Sequence, residues 1–356
     1  MSSPKKKIKL DHTEAVEDHF SVLPHNVLVN IFKYLDFKSV YSCSTICAAL
    51  NKASNENVLY EKVKFKYNMD KNLLMNYLTK LNNPKHFEVQ YRFCYNDSDL
   101  QEEDEELFNE YVKEVLTKFN EHFVSIHFEN CRNENILELI GNCTNLKDVT
   151  FFQCKGSFQF LTNLTNLSHI ELVQCFISNQ AVIDCLERNS SLKKLYLSSN
   201  SHVMASEVCE SLAKYNINLE NLHLAERTAV RPKGFRSLGR CFKLKSLEMS
   251  AGLHHSDPED ALEHIAAGCP RLEKLVLYGW KKITDDKLMP ILHSCTQIKE
   301  LDFRDVNITI KSCKEAALSL PLLKYLDVFK CNRIKNNEVI KLQQDFKDII
   351  INSKKT

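Results

Sequence analysis

Glycine is scarce in this chain, which has only seven among its 356 residues. None of them forms the glycine-rich loop that cradles a phosphate or a dinucleotide, so the common nucleotide-binding motifs are excluded. Long apolar runs are missing too, since no stretch approaches the roughly 18 residues of a membrane-spanning helix. The charged N-terminus is followed by no hydrophobic segment. We therefore expect neither a membrane partner nor a secretory signal.

An excess of one charge is also missing. Lys and Arg number 47 against 46 Asp and Glu, which gives a formal net charge of +1. A general nucleic-acid binder needs a basic face, so nucleic acid is not expected as a partner.

The sequence shows no pattern of catalysis or metal binding. No Cys-x-x-Cys pair occurs, and Cys43 and Cys47 are not followed by a second pair of ligands. His254 and His255 with Asp257 could mimic a metal site, although adjacent histidines in a loop are usually just polar. No nucleophile has a defined base. We therefore expect a non-catalytic protein without a metal or another cofactor.

What the chain does have is a repeated apolar frame. The order apolar, two residues, apolar, one residue, apolar recurs between Phe123 and Ile351, as in Leu192–Leu195–Leu197. The middle residues of the frames lie 21 to 28 positions apart: Ile126, Val149, Ile170, Leu195, Leu222, Leu247, Leu275, Leu301, Leu326 and Ile349. Such a period is the signature of a leucine-rich-repeat solenoid. The predicted fold class is α/β, with a curved parallel sheet inside and helices outside, an architecture that binds large partners.

The fourteen cysteines follow this frame. Several lie three residues before or after a frame, such as Cys143, Cys154 and Cys175, which indicates small buried residues rather than a disulfide scaffold. Without a signal peptide, we expect free thiols in a reducing compartment, cytoplasmic or nuclear. Trp280 takes a position where small residues are usual, and we interpret it as part of a locally rearranged core.

The two ends differ from the repeats. Residues 1–19 are predicted to be a disordered tail, in which Pro4-Lys5-Lys6-Lys7-Ile8-Lys9 is either a nuclear-import signal or a solubilising segment. Residues 20–62 read as three short helices, and residues 63–356 as the solenoid, beginning with two degenerate strand–helix repeats. After the last frame, Phe346–Ile349–Ile351, we expect a bare strand edge that Lys354 and Lys355 or a partner protects.

The outward strand positions form the predicted binding surface. They lean acidic, and their aromatic residues come late in the chain. We expect Tyr278, Arg304, Tyr325 and Phe329 to bind a protein partner, since Tyr and Arg are enriched in binding hot spots. The alternative is that these aromatic residues only follow strand propensity.

Residues 23–63 resemble an F-box. The resemblance is carried by a leucine–proline opening and by apolar residues at helical spacing: Leu23-Pro24, Val27-Leu28, Ile31-Phe32, Tyr34-Leu35-Asp36, Val40, Cys47 and Leu59-Tyr60. Leu50 and Tyr60 stand where the family often has Trp. With the cysteine-bearing repeats and the Ile283-Thr284-Asp285 element, the chain is similar to F-box/leucine-rich-repeat proteins.

This resemblance implies the substrate receptor of a cullin–RING (SCF-type) ubiquitin ligase. The F-box would dock a Skp-type adaptor, and through it the cullin and RING subunits, while the repeats would hold a protein substrate. The implied adaptor-binding residues are Leu23, Pro24, Val27, Leu28, Ile31, Phe32 and Leu35. The alternative is a leucine-rich-repeat interaction scaffold that is not coupled to a ligase.

Overall fold

A computed structural model describes residues 20–93, 102–228, 230–251 and 257–353. The lysine segment of the tail, the His254-His255 pair, Lys354 and Lys355 lie outside these residues, so the expectations placed on them stay predictions.

Helices and short parallel strands alternate along most of the chain. The helices are α1 His25–Phe32, α2 Phe37–Ser44, α3 Ala48–Ser54, α4 Lys71–Lys80, α5 Glu102–Phe119, α6 Glu134–Ile140, α7 Asn179–Arg188, α8 Ala205–Tyr215, α9 Pro232–Ser237, α10 Ala261–Gly268, α11 Asp285–Ser294, α12 Ile310–Ser319 and α13 Asn336–Asp345. The strands are β1 Lys62–Lys66, β2 His86–Gln90, β3 Ser125–Glu129, β4 Asp148–Phe152, β5 His169–Val173, β6 Lys194–Ser198, β7 Asn221–Ala225, β8 Ser246–Ser250, β9 Lys274–Tyr278, β10 Glu300–Asp302, β11 Tyr325–Asp327 and β12 Ile350–Asn352. Short 3-10 helices cover Asn57–Tyr60, Gln159–Asn163 and Leu238–Arg240.

The described residues fall into two compact units. The helical unit comprises residues 20–61 and 70–83, and the strand unit comprises residues 62–69 and 84–353 with the gaps given above. Helix α4 therefore groups with the helical unit, whereas the sequence assigned it to the first degenerate repeat. The predicted limits of the three domains are otherwise untested and stay predictions.

The helical unit has a small core of its own. The side chains that form it come from α1, α2 and α3: Leu28, Val29, Phe32, Val40, Leu50 and Ala53. Asp36 caps α2, because its side chain accepts a hydrogen bond of 2.8 Å from the backbone N–H of Ser39. The ring of Phe37 stacks on that of Tyr77 at 3.8 Å between centroids, which attaches α4 to the other helices.

The strand unit is one parallel sheet. Its twelve strands pair in chain order from β1 to β12, each with the next. The middle residue of each frame lies beside the middle residue of the next: Leu195 pairs with Ile170 on one side and with Leu222 on the other. All three are buried, so the inward row is the stacked core that the repeat predicted.

The last frame was predicted two residues out of register. Leu326 pairs with Ile351, not with Ile349. Ile349 is still buried, but it lies before β12 rather than within it. The apolar run Ile349-Ile350-Ile351 allows either register, and only the pairing with β11 decides between them.

Three residues after several of the frames, a side-chain donor links one repeat to the repeat before it. Cys154 donates its thiol to the carbonyl of Phe128, and Cys175 donates to that of Phe151, at 3.4 and 3.3 Å. The amide of Asn200 donates to Leu172, and the indole N–H of Trp280 donates to Met249, at 2.9 and 3.2 Å. Each acceptor is the last apolar residue of the preceding frame. Trp280 is fully buried, so it belongs to the core as predicted and also supplies this donor.

The cysteines of the described chain are free, and all but Cys43 and Cys47 are buried. Helices on the outer side approach closely through glycine, since a Cβ added to Gly268 would lie 1.7 Å from the carbonyl oxygen of Gly239.

The outer edge of β12 is covered by a side chain of the same repeat. The amide nitrogen of Gln343 donates to the carbonyl of Ile349 at 2.8 Å, and its oxygen accepts from the N–H of Ile351 at 3.1 Å. The side chain thus takes the place of a neighbouring strand. The edge that the sequence left bare is occupied at these two groups.

Candidate functional site

The first candidate surface is one face of α1 with the residues around it. Val27 and Ile31 lie one helical turn apart on α1, and Leu23 and Leu35 lie just before and just after the helix. The side chains of all four residues are between 37 and 46% exposed. Pro24, at the N-cap of α1, is exposed beside them. We call Leu23, Pro24, Val27, Ile31 and Leu35 the α1 face.

Two of the predicted adaptor-binding residues are not on this face. Leu28 is 2% exposed and Phe32 is 3% exposed, because both point into the core of the helical unit. The motif groups them with their neighbours, but each lies about 100° further round α1 than the exposed residue before it, on the side that the core of the helical unit covers. Their role in the folded unit is packing, and direct contact with a partner would require the unit to open.

Further apolar side chains of the helical unit are exposed. Tyr34 is 91% exposed, Val22 82% and Ile46 63%. None of the three was predicted to be a contact residue. Tyr34 was visible in the motif, whereas Val22 and Ile46 lie outside the helical pattern on which the prediction depended.

The second candidate surface is the outward side of the sheet, which we call the sheet face. Tyr278, Arg304 and Phe329 lie side by side on it. Each comes two residues after a member of the paired row Val276, Asp302 and Asp327. The guanidinium of Arg304 lies 5.5 Å from the centre of the Tyr278 ring, a cation–π contact. Tyr278 and Phe329 are 44 and 37% exposed. Tyr325 is half-buried and lies in another row of the sheet face.

Two carboxylates hold this group of residues in place. Asp302 accepts two hydrogen bonds from Nε of Arg304, at 2.9 and 2.8 Å, and these bonds raise the pKa of the guanidinium above its ordinary value. Asp327 accepts from the hydroxyl of Tyr325 at 3.0 Å and from the amide of Asn352 at 2.8 Å. Burial, and then the bond to Asp327, raise the pKa of the Tyr325 hydroxyl.

Asp327 takes an outward position on β11, but it is only 4% exposed. The neighbouring residues Tyr325 and Asn352 cover it while they donate to it. Asp327 therefore holds the side chains of Tyr325 and Asn352 in position and does not itself face solvent.

The middle of the sheet face carries a polar chain across β6 to β9. The rings of Tyr196 and His223 stack at 3.8 Å between centroids and 3° between planes. Nδ1 of His223 is 3.2 Å from Glu248, and Nζ of Lys274 is 2.7 Å from the same carboxylate. The bond with His223, together with Lys274, lowers the pKa of the Glu248 carboxyl to about 2. This region therefore carries a carboxylate at neutral pH.

Within residues 20–93, 102–228, 230–251 and 257–353, no group of three or more His, Cys, Asp or Glu side chains is arranged to hold a metal ion. The same residues contain no helix that is long and apolar enough to cross a bilayer.

Comparison with known proteins assigns the helical part of the chain. Residues 20–66 match the F-box-like family model. Among solved structures, the chain is similar to the crystal structure of the Rad7 and Elc1 complex of yeast, with a TM-score of 0.50 and 16% identity over 92% of this chain and 87% of that one. It is also similar to an internalin, inlF, of Listeria monocytogenes, with a TM-score of 0.48 and 16% identity over 69% of this chain and 75% of that one.

At this level of identity, the yeast likeness shows the fold and nothing further. The family match and the twelve-stranded sheet together confirm the resemblance noted in the sequence. The chain therefore carries an F-box-like domain at residues 20–66 and a leucine-rich-repeat-type solenoid formed by the strands described above.

Proposed function

We propose that this chain is the substrate-recognition subunit of an SCF-type cullin–RING ubiquitin ligase. The observation that carries the proposal is the exposed α1 face within the F-box-like domain. Exposed apolar side chains on a helix and at its two ends are suited to docking in an apolar groove of a partner. The partner proposed is a Skp-type adaptor, which would connect the chain to the cullin and RING subunits.

The sheet face would hold the substrate in this proposal. Its late cluster, Tyr278, Arg304, Tyr325 and Phe329, offers exposed aromatic surface beside a positioned guanidinium. Aromatic side chains lose little entropy on binding, and Arg304 is already held by Asp302, which suits them to be contact residues.

The chain would do no bond chemistry of its own. Holding the substrate and the ligase at once raises the effective concentration of substrate lysines beside the ubiquitin carrier. The complex would work in the cytoplasm, the nucleus or both.

Replacing Ile31 by Lys tests the adaptor contact. Ile31 is exposed, so the change should leave the core intact, while a buried lysine in the interface would weaken adaptor binding by about 2 kcal/mol or more. The matched control is Leu318→Lys on α12, an exposed leucine of the strand unit. We expect a Skp-type adaptor to co-purify with the wild-type chain and with Leu318→Lys, but not with Ile31→Lys.

Retention of the adaptor by Ile31→Lys, or its absence from all three preparations, would overturn the docking proposal. The scaffold alternative predicts a different outcome. In that case the wild-type chain would capture a substrate but no cullin, even with adaptor present in excess.

A further inference from the structure

The sheet face changes charge along its length. On β1 it presents three lysines, Lys62, Lys64 and Lys66. From β3 onward, carboxylates predominate. The half-buried or exposed ones are Glu129, Asp148, Glu171, Glu248, Glu300 and Asp302, against the cations Lys194, Lys274 and Arg304.

Two of these three cations are already neutralised on the face itself. Lys274 lies between Glu248 at 2.7 Å and Glu300 at 3.9 Å, and Arg304 is bound to Asp302. Glu171 has no ion-pair partner within the described part of the chain. The face from β3 to β11 therefore carries a net negative charge that its own cations do not compensate, and charges on one face add to a common potential.

Aromatic side chains stand among these carboxylates. Glu171, Tyr196, His223 and Glu248 occupy one row across four neighbouring strands, in that order. The stacked pair Tyr196–His223 thus has a carboxylate on each side. Burial, and then the negative charges of Glu171 and Glu248, raise the pKa of the Tyr196 hydroxyl, so the side chain stays neutral.

The neighbouring row of outward residues has small side chains. Over β6, β7 and β8 it consists of Ser198, Ala225 and Ser250, and it leads to the exposed Tyr278 on β9. Small side chains beside a raised aromatic row make a shallow trough that runs across the strands. An extended backbone could lie in this trough with its side chains over the rings and carboxylates.

We propose that the sheet face between β3 and β11 binds an extended segment of the substrate that is rich in Arg and Lys. A guanidinium can stack on an aromatic ring and bind a carboxylate at once, so the alternation of rings and acids suits it. The inference rests on the proposed function in one respect, because it is the substrate that would present the segment.

The size of the surface sets the length of the segment. Nine strands spaced about 4.8 Å apart span about 38 Å, which an extended chain covers with about 12 residues. A peptide of about 12 residues is therefore long enough to cover the trough.

The test uses the full chain and two fluorescein-labelled peptides of about 12 residues. One alternates Arg with Ser and the other alternates Glu with Ser, and binding is followed by fluorescence anisotropy at about 150 mM salt. We expect the Arg peptide to bind and the Glu peptide not to bind. Glu171→Lys should weaken the Arg peptide about tenfold, because it replaces an attraction by a repulsion within the acidic face.

The matched control is Glu187→Lys, the same charge change on the exposed side of α7. It should alter the affinity less than about twofold. An equal loss in both variants, or equal binding of the two peptides, would overturn the inference, since either result means an effect of total charge rather than of this face.

The lysine segment of the chain itself is the competing occupant. Replacing Lys5, Lys6, Lys7 and Lys9 by Ser should leave peptide affinity unchanged. If the wild-type chain fails to bind and this variant binds, the face is filled from within the molecule and the inference is wrong. Adaptor co-purification is a separate readout, so failure of the peptide test and failure of the ligase proposal are distinguishable.

Discussion

A single buried carboxyl group shows how far burial changes residue chemistry in this fold. Glu226 is 2% exposed, and both of its oxygens accept hydrogen bonds from Asn200, at 2.7 and 2.8 Å. Burial raises the pKa of Glu226 to about 7, although the bonds from Asn200 partly oppose this. Asn200 in turn accepts from the N–H of Cys175 at 2.9 Å, so the pair ties three consecutive repeats together.

This pKa predicts a pH dependence of stability. The folded carboxyl holds its proton up to about pH 7, whereas the unfolded one loses it near 4.5. Its contribution is therefore fully present below pH 4.5 and is lost as the pH rises through 7, by up to about 3 kcal/mol. We expect the free energy of unfolding of Glu226→Gln, measured in urea, to increase relative to that of the wild type as the pH rises between these two values.

The matched control is Glu187→Gln on the exposed side of α7. Its free energy of unfolding should differ from that of the wild type by the same small amount at every pH. If the difference between Glu226→Gln and the wild type is constant across the range, Glu226 does not titrate as the burial requires.

At the scale of elements, the last strand shows how an end of the sheet is closed. The side chain of Gln343 on α13 binds the carbonyl of Ile349 and the N–H of Ile351 at the outer edge of the terminal strand. Unpaired groups at a strand edge are a template for pairing with another chain. A side-chain amide can substitute for a strand because it carries the same donor and acceptor.

We therefore expect Gln343→Leu to make the protein self-associate through β12. The loss of these bonds should also cost about 1 to 3 kcal/mol of stability. Light scattering after size exclusion measures the first effect. Gln344→Leu, at the exposed neighbouring position, is the control for added hydrophobicity. A Gln343→Leu chain that stays monomeric at high concentration would show that the edge is protected in another way.

At the scale of the whole molecule, we expect the two compact units to unfold independently of each other. Leu222 lies in the stacked inward row and is 1% exposed. A charge there has no partner to compensate its desolvation, so Leu222→Asp should destabilise the solenoid by several kcal/mol. We expect it to abolish binding of the Arg peptide while adaptor capture through the α1 face persists.

Thermal unfolding and adaptor co-purification measure the two effects. Asn221→Asp, one residue away and facing outward, is the control for the added charge. Unchanged melting of Leu222→Asp would contradict the assignment of the frame. Loss of adaptor capture would contradict the independence of the two units.

The sequence by itself determined the repeat, the inward row and the F-box-like helices. These depend on local apolar spacing, which has to match the period of the fold for any core to form. Residues such as Leu195 and Leu222 could therefore be placed correctly without a structure, and so could the cap at Asp36.

Only the tertiary structure decided which of these residues reach a partner. It separated Leu28 and Phe32 from the α1 face, buried Asp327, moved the last frame to Ile351 and gave Gln343 its role at the edge. In each case the outcome depends on what packs against the residue from elsewhere in the chain. A spacing rule specifies one face of a helix or strand, but only the neighbouring element determines whether that face is covered.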